Sequence, residues 1–135
     1  MQKKPTMTVV AAALVDSERR VLLQQRAPNR TMAGLWEFPG GKVEPGELPE
    51  AALAREIEEE LGVSVAPESL TPACFASAPL GDRHLILLLY LCREWRGEPQ
   101  PLDASALKWC GLEDMRAEEM PPADRPFIGL LDRLI

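Results

Sequence analysis

The chain is poor in the residues that staple, clasp or anchor a protein. It has one histidine, His84, and three cysteines, Cys74, Cys92 and Cys110, odd in number, far apart and in no CxxC or Cys/His spacing. That pattern excludes a structural zinc site and a disulfide framework, and leaves reduced thiols and a cytoplasmic location as the expectation. Positive charge is also scarce: 15 Lys and Arg face 21 Asp and Glu, a net charge of −6. A nucleic-acid polymer is therefore not an expected partner, since such binding is driven by cations neutralising phosphates. Long apolar runs are missing too. The longest, Leu85 to Leu91, falls far short of the ~20 residues that cross a bilayer, so no membrane association is expected. Lys3-Lys4 followed by VVAAALV imitates a signal peptide, but the run is short and Asp16-Ser17-Glu18-Arg19-Arg20 follows without a cleavage motif. There are no repeats and no low-complexity linker.

What remains is a soluble-protein composition, 46% hydrophobic and 27% charged, in 135 residues. That length suits a single domain, residues 1–135, with one real core. Thr8 to Val15 and Val21 to Gln25 read as two strands joined by a turn. An irregular loop from Ala27 to Gly34 leads to a short strand, Leu35 to Phe38. Val63 to Val65 reads as short and extended, Ala73 to Ala78 and Leu85 to Cys92 as a hairpin about Leu80-Gly81-Asp82-Arg83, and Leu107 to Cys110 as a further strand. Phe127, Leu130, Leu131 and Leu134 recur at helical spacing in a last helix, Pro126 to Leu134. The expected fold is α+β, an α/β/α sandwich with a mixed β-sheet between helices.

The informative stretch is Gly40 to Val63, GGKVEPGELPEAALAREIEEELGV. Leu53, Ala54, Ile57 and Leu61 fall on one helical face, with Pro49 suited to the first turn and Gly62 to the residue past the end. Leu48 is a poor N-cap where Ser or Thr would contribute about 1 kcal/mol. Glu56, Glu59 and Glu60 then crowd beside the apolar stripe, where like charges repel. A bare acidic run is ordinarily a solvated face. Here Gly40-Gly41 permits close backbone approach and Pro45-Gly46 turns Glu47 back towards the helix. Such a carboxylate cluster suits a hard divalent cation, Mg²⁺ above all, which keeps sites open for water and phosphate.

The spacing is Gly41, five residues, Glu47, seven residues, Arg55-Glu56-Ile57, one residue, Glu59-Glu60, one residue, Gly62-Val63. It matches every specified position of the Nudix box, with a chance probability of roughly 10⁻⁷ or less. The sequence resembles a Nudix hydrolase. LWEFPGGKVEPGE, GDRHLILLLYLCREWRGEP and PPADRP make it similar to the MutT branch, enzymes that clear oxidised nucleotides. The resemblance implies a pyrophosphohydrolase that uses Mg²⁺ to cleave nucleoside triphosphates to monophosphate and pyrophosphate; Mn²⁺ is a candidate substitute, and a monomer is the expectation.

It further implies Gly40, Glu56, Glu59 and Glu60 as metal ligands, with Glu47 behind them and Arg55 fixing the carboxylates. Glu56, Glu59, Glu47 and Arg55 form the catalytic group, Glu56 being the first candidate for general base. The MutT pattern carries another acid immediately before Trp109, where this chain has Lys108; Asp103 is the nearest substitute as a further metal ligand, or else an exposed loop residue. Arg26, Phe38, Gly41, Lys42 and Asp124 are candidate substrate contacts, with Arg26 and Lys42 near phosphate and Phe38 at the mouth near the base. Asp124 stands where the branch has a base-reading asparagine. A carboxylate there suits the cytosine amine, as in CTP pyrophosphohydrolases; protonated, it could read oxidised guanine, and it could also simply cap the last helix. His84 is expected to be structural, and Trp36, Trp95 and Trp109 to be core or rim aromatics. The rival classes are a nucleotide sensor on a silent Nudix scaffold and a purely structural acidic domain.

Overall fold

The computed structural model describes residues 5–135, so Lys3-Lys4 lies outside the described residues. The strands are β1 (Thr6–Leu14), β2 (Val21–Gln25), β3 (Trp36–Glu37), β4 (Gly40–Lys42), β5 (Thr71–Leu80), β6 (Arg83–Cys92) and β7 (Ala106–Cys110). The helices are α1 (Pro49–Leu61), α2 (Leu112–Met115) and α3 (Pro126–Leu134). The hairpin turns at Gly81-Asp82, where Gly81 has φ 59. Ser64 makes only an isolated bridge to Arg96, and α2, too short to carry a period, was not expected.

The mixed sheet is divided in two. One sheet has the order β4-β1-β6-β5 and the other β3-β2-β7. β1 and β6 are parallel over their full length, from Thr6 opposite His84 to Leu14 opposite Cys92, and the other ladders are antiparallel. β1 and β2 are indeed joined by a turn, but they meet only at the Val15–Val21 bridge and then diverge into different sheets.

Alternation along the strands sends side chains to two cores. Val10, Ala12, Leu14 and Leu22 pack with Leu53, Ile57 and Leu61 of α1. Ala11, Ala13, Val21 and Leu23 pack with Phe127 and Leu131 of α3 on the other side. This is the α/β/α sandwich expected from the sequence, with α1 laid along β1 and β4.

The boundaries of α1 follow its sequence. Gly62 has φ 72, the left-handed C-cap that glycine adopts freely, and its N–H donates to the Glu58 carbonyl. No side chain caps the start at Leu48. The first turn is instead held from outside: the Tyr90 hydroxyl of β6 donates to Glu50 Oε2 at 2.6 Å. A carboxylate in the first turn also complements the helix dipole.

Candidate active site

A cleft of about 720 Å³ opens where the C-terminal half of α1 meets β4 and the loop between β2 and β3. Glu56, Glu59 and Glu60 line one wall with Gly40, Gly41 and Lys42. Glu47 and Arg55 stand behind it. The Glu44–Glu47 turn, with Gly46 at φ 80, brings the Glu47 carboxylate to Arg55. Arg55 Nε and Nη2 donate to Glu47 Oε2 and Oε1 at 2.9 and 3.0 Å, a bidentate fork. Its Nη1 reaches Glu56 Oε1 at 2.9 Å and Glu59 Oε2 at 3.5 Å, and its Nη2 also donates to the Lys42 carbonyl. The Arg55 hydrogen bonds hold the Glu47 carboxyl below its usual range and raise the guanidinium still further.

The two glycines have distinct reasons. A Cβ on Gly40 would lie 1.9 Å from the Val10 carbonyl oxygen, so its close approach is to β1 rather than to a ligand. A Cβ on Gly41 would lie 2.4 to 2.6 Å from the Glu56 carboxylate, so Gly41 leaves the space that this group occupies. Glu60 is buried and accepts the Gly40 N–H at 3.0 Å. Burial, reinforced by the Glu56 charge, pushes its pKa up to about 8. Burial also raises the Glu56 pKa, against the pull of Arg55.

Among the described residues no three acidic, histidine or cysteine side chains converge on one point as they stand. The donor set nonetheless fits a hard divalent cation. Every candidate ligand is oxygen, Arg55 engages only one oxygen of Glu56, and Glu59 extends largely exposed at the cleft wall.

The opposite wall carries Arg26, Glu37, Phe38 and Asp124. Arg26 is not a solvated charge: its Nη1 donates to Glu37 Oε1 at 2.8 Å and its Nε to the Thr31 carbonyl at 2.6 Å. Phe38 departs from the expectation. It is buried, not at the mouth, and its ring meets Phe127 edge-on at 6.0 Å. Its backbone N–H donates to Asp124 Oδ2 at 3.3 Å. Asp124 makes no side-chain cap to α3, so the capping role is not what holds it there. The residue is 7% exposed, and burial beside the Glu37 charge lifts its carboxyl pKa to about 7.

Asp103 reaches the cleft rim, but Arg30 Nη2 takes both of its oxygens, at 2.9 and 3.1 Å. The pair ties the β2–β3 loop to the segment before β7, so Asp103 stands in this structure as an ion-paired, half-exposed loop residue. Lys108 sits opposite Leu23, whose side chain belongs to the α3 core. It lies 4.2 Å over the Trp36 ring and is bonded to Glu118. A carboxylate at position 108 would thus face away from α1. His84 is structural, with Nε2 at 2.6 Å from Ser77 Oγ, and Trp95 stacks on Trp109 at 5.8 Å.

A NUDIX domain profile matches residues 5–131. The chain belongs to the NUDIX domain family. An 8-oxo-dGTP diphosphatase of Escherichia coli (strain K12) is 36% identical over 126 residues, covering 93% of this chain and 96% of the relative. A CTP pyrophosphohydrolase of the same organism is 36% identical over 124 residues, covering 90% of this chain and 89% of the relative. The crystal structure of a MutT NUDIX hydrolase from Burkholderia pseudomallei matches with a TM-score of 0.83 at 31% identity, covering 93% of this chain and 98% of that one. The fold class and the Nudix resemblance read from the box are both borne out.

Three charged or carboxamide residues of this Nudix cleft were not singled out from the sequence: Gln24, Arg30 and Glu37. Gln24 carried a signal, a polar residue inside the buried strand VLLQQ. Arg30 and Glu37 carried none, because their partners lie on other segments.

The Asp124 carboxyl makes a sign-specific prediction for stability. Its pKa rises on folding from 3.8 to about 7, so between those values the native state binds more protons than the unfolded one. Its contribution is fully present below pH 3.8 and is lost as pH rises through 7. Thermal melts should therefore show Asp124→Asn gaining stability relative to the wild type between pH 5 and pH 8. A difference independent of pH would contradict the buried, raised carboxyl.

Proposed function

We propose that the protein, as one Nudix domain across the chain, is a Mg²⁺-dependent nucleoside triphosphate pyrophosphohydrolase of MutT type. It would hydrolyse oxidised nucleotides such as 8-oxo-dGTP to monophosphate and pyrophosphate, and so sanitise the nucleotide pool. The carrying observation is the complete set of box carboxylates beside a cleft of ligand size: Glu47, Glu56 and Glu59 gathered by the single Arg55 guanidinium, and Glu60 held by the Gly40 N–H. The 8-oxo-dGTP diphosphatase relative supports the substrate class. A monomer in the cytoplasm, acting on a small nucleotide and on no nucleic-acid polymer, completes the reading.

Phosphoryl transfer depends on positioned charge more than on covalent chemistry by the protein. Glu56, Glu59, Glu60 and the Gly40 carbonyl are the groups that would hold the cation. When bound, Mg²⁺ supplies charge for the phosphates and lowers the pKa of a water that attacks the phosphate chain. The protein residues do the rest. Arg55 keeps Glu56 and Glu59 oriented from behind, and Glu56 is placed to accept the proton of the attacking water. Arg26 and Lys42, both lining the cleft, offer cations to the phosphate chain. Asp124 reads the base from the far wall.

A second reading, a CTP or modified dCTP pyrophosphohydrolase, is favoured by one observation: residue 124 is a carboxylate. Ionised, it accepts from an exocyclic amine; protonated, it donates to an oxygen such as guanine O6. A pKa near 7 keeps both forms accessible. A silent sensor has no such support, since every box carboxylate is present.

The test is a screen of ordinary and oxidised nucleoside triphosphates with Mg²⁺, reading monophosphate and pyrophosphate. Glu59→Gln, which removes a ligand charge at constant volume, should lower kcat at least about 100-fold without unfolding the protein. Near-normal turnover in that variant would sink the metal assignment. Asp124→Asn should move the kcat/KM ratio towards 8-oxo-dGTP and away from cytosine nucleotides by about tenfold or more. Equal losses on both substrates would mean that the base is read elsewhere.

A further inference from the structure

Gln24 is 2% exposed, on the face of β2 where its neighbour Leu22 packs against α1. Packing alone would favour another leucine there. Instead its carboxamide Nε2 lies between two carboxylates, 3.3 Å from Glu37 Oε2 and 3.4 Å from each oxygen of Glu60. Glu37 is its register partner across β3, so the two side chains rise on the same side of the sheet. Its Oε1 is the one buried side-chain polar atom without a partner among the described residues.

These facts have a common cause. Turned the other way, the amide would set Oε1 against two acceptor groups. The two carboxylates therefore dictate its orientation, and the lone Oε1 is the consequence. An amide with two N–H donors is the smallest neutral group that can separate two carboxylates and still bond to both. A leucine or methionine would leave them facing each other across an apolar gap.

We propose that Gln24 is a positioning residue: by donating to Glu60 and Glu37 together, it holds the α1 carboxylate in the place where a divalent cation is taken up. Gln24 touches no substrate in this role and acts through Glu60. It also links the two walls of the cleft, since Glu37 in turn holds Arg26. The inference rests on the reading of Glu60 as a cation ligand, and its test separates the two.

The melting temperature of the full chain is measured against Mg²⁺ alone, without nucleotide, for the wild type, Gln24→Met and Gln24→Asn. Methionine matches the length and volume of glutamine but has no donor. The wild type should be stabilised by Mg²⁺, and Gln24→Met should need about tenfold more Mg²⁺, or beyond, for half of that shift. In turnover, Gln24→Met should recover at high Mg²⁺, with KM for the nucleotide within about twofold of wild type. A residue that merely packs would leave the Mg²⁺ midpoint in place, whatever happens to the metal-free melting temperature. That result, a wild-type midpoint in Gln24→Met, overturns the inference. A wild type that ignores Mg²⁺ overturns the cation reading and the inference with it. If Gln24→Met does not fold, Gln24→Asn, whose amide falls one methylene short of both carboxylates, carries the same expected shift.

Discussion

One guanidinium organises the acidic end of this molecule. Arg55 lies on α1 and grips Glu47 with a bidentate fork while touching Glu56 and Glu59 with its remaining nitrogen. Without it, Glu47, Glu56 and Glu59 would repel one another and scatter. The pairs are partly exposed, so little of this is a gain in global stability. Its effect is on shape: a charge-assisted, planar fork restricts where each carboxylate can go. The two glycines before the helix serve the same end, Gly40 by letting β4 lie against β1 and Gly41 by leaving room for the Glu56 carboxylate.

The two walls of the cleft use burial differently. On α1, Glu60 is buried beside other carboxylates, an arrangement that is unfavourable until a cation or proton arrives. On the far wall, Asp124 is buried among fewer charges and sits near the point of half-protonation at neutral pH. The first arrangement suits cation capture. The second suits a group that can either donate or accept, as a nucleobase reader must. The β2–β3 ladder joins them through Gln24, Glu37 and Arg26.

Much of this was legible in the sequence because it is local. The limits of α1 follow from Pro49, Gly62 and the apolar stripe, and the Glu47–Arg55 relation is encoded in a spacing within 24 residues. The β5–β6 hairpin and α3 were readable for the same reason. What escaped depends on tertiary register. No local pattern tells that β1 runs parallel to β6 while β2 leaves for another sheet. Phe38 reads as an aromatic at the cleft mouth until Phe127, 89 positions on, is seen packing its ring into the buried base of the wall. Asp103 reads as a spare ligand or an exposed loop residue, and its pairing with Arg30, 73 positions away, has no local signal. Lys108 reads as a lost carboxylate until the β2–β7 register turns that position towards α3.

Arg55 works as a fork and not as a mere positive charge. Arg55→Lys keeps the charge and removes the planar, multidentate geometry. The direct measurement is kcat at saturating Mg²⁺ and nucleotide for this variant, for Glu47→Gln and for the double variant, with melts to confirm folding. The account predicts a loss of about tenfold or more in each single variant and no further loss in the double, because both break one unit. Wild-type turnover in Arg55→Lys, or losses that simply multiply in the double variant, would contradict it.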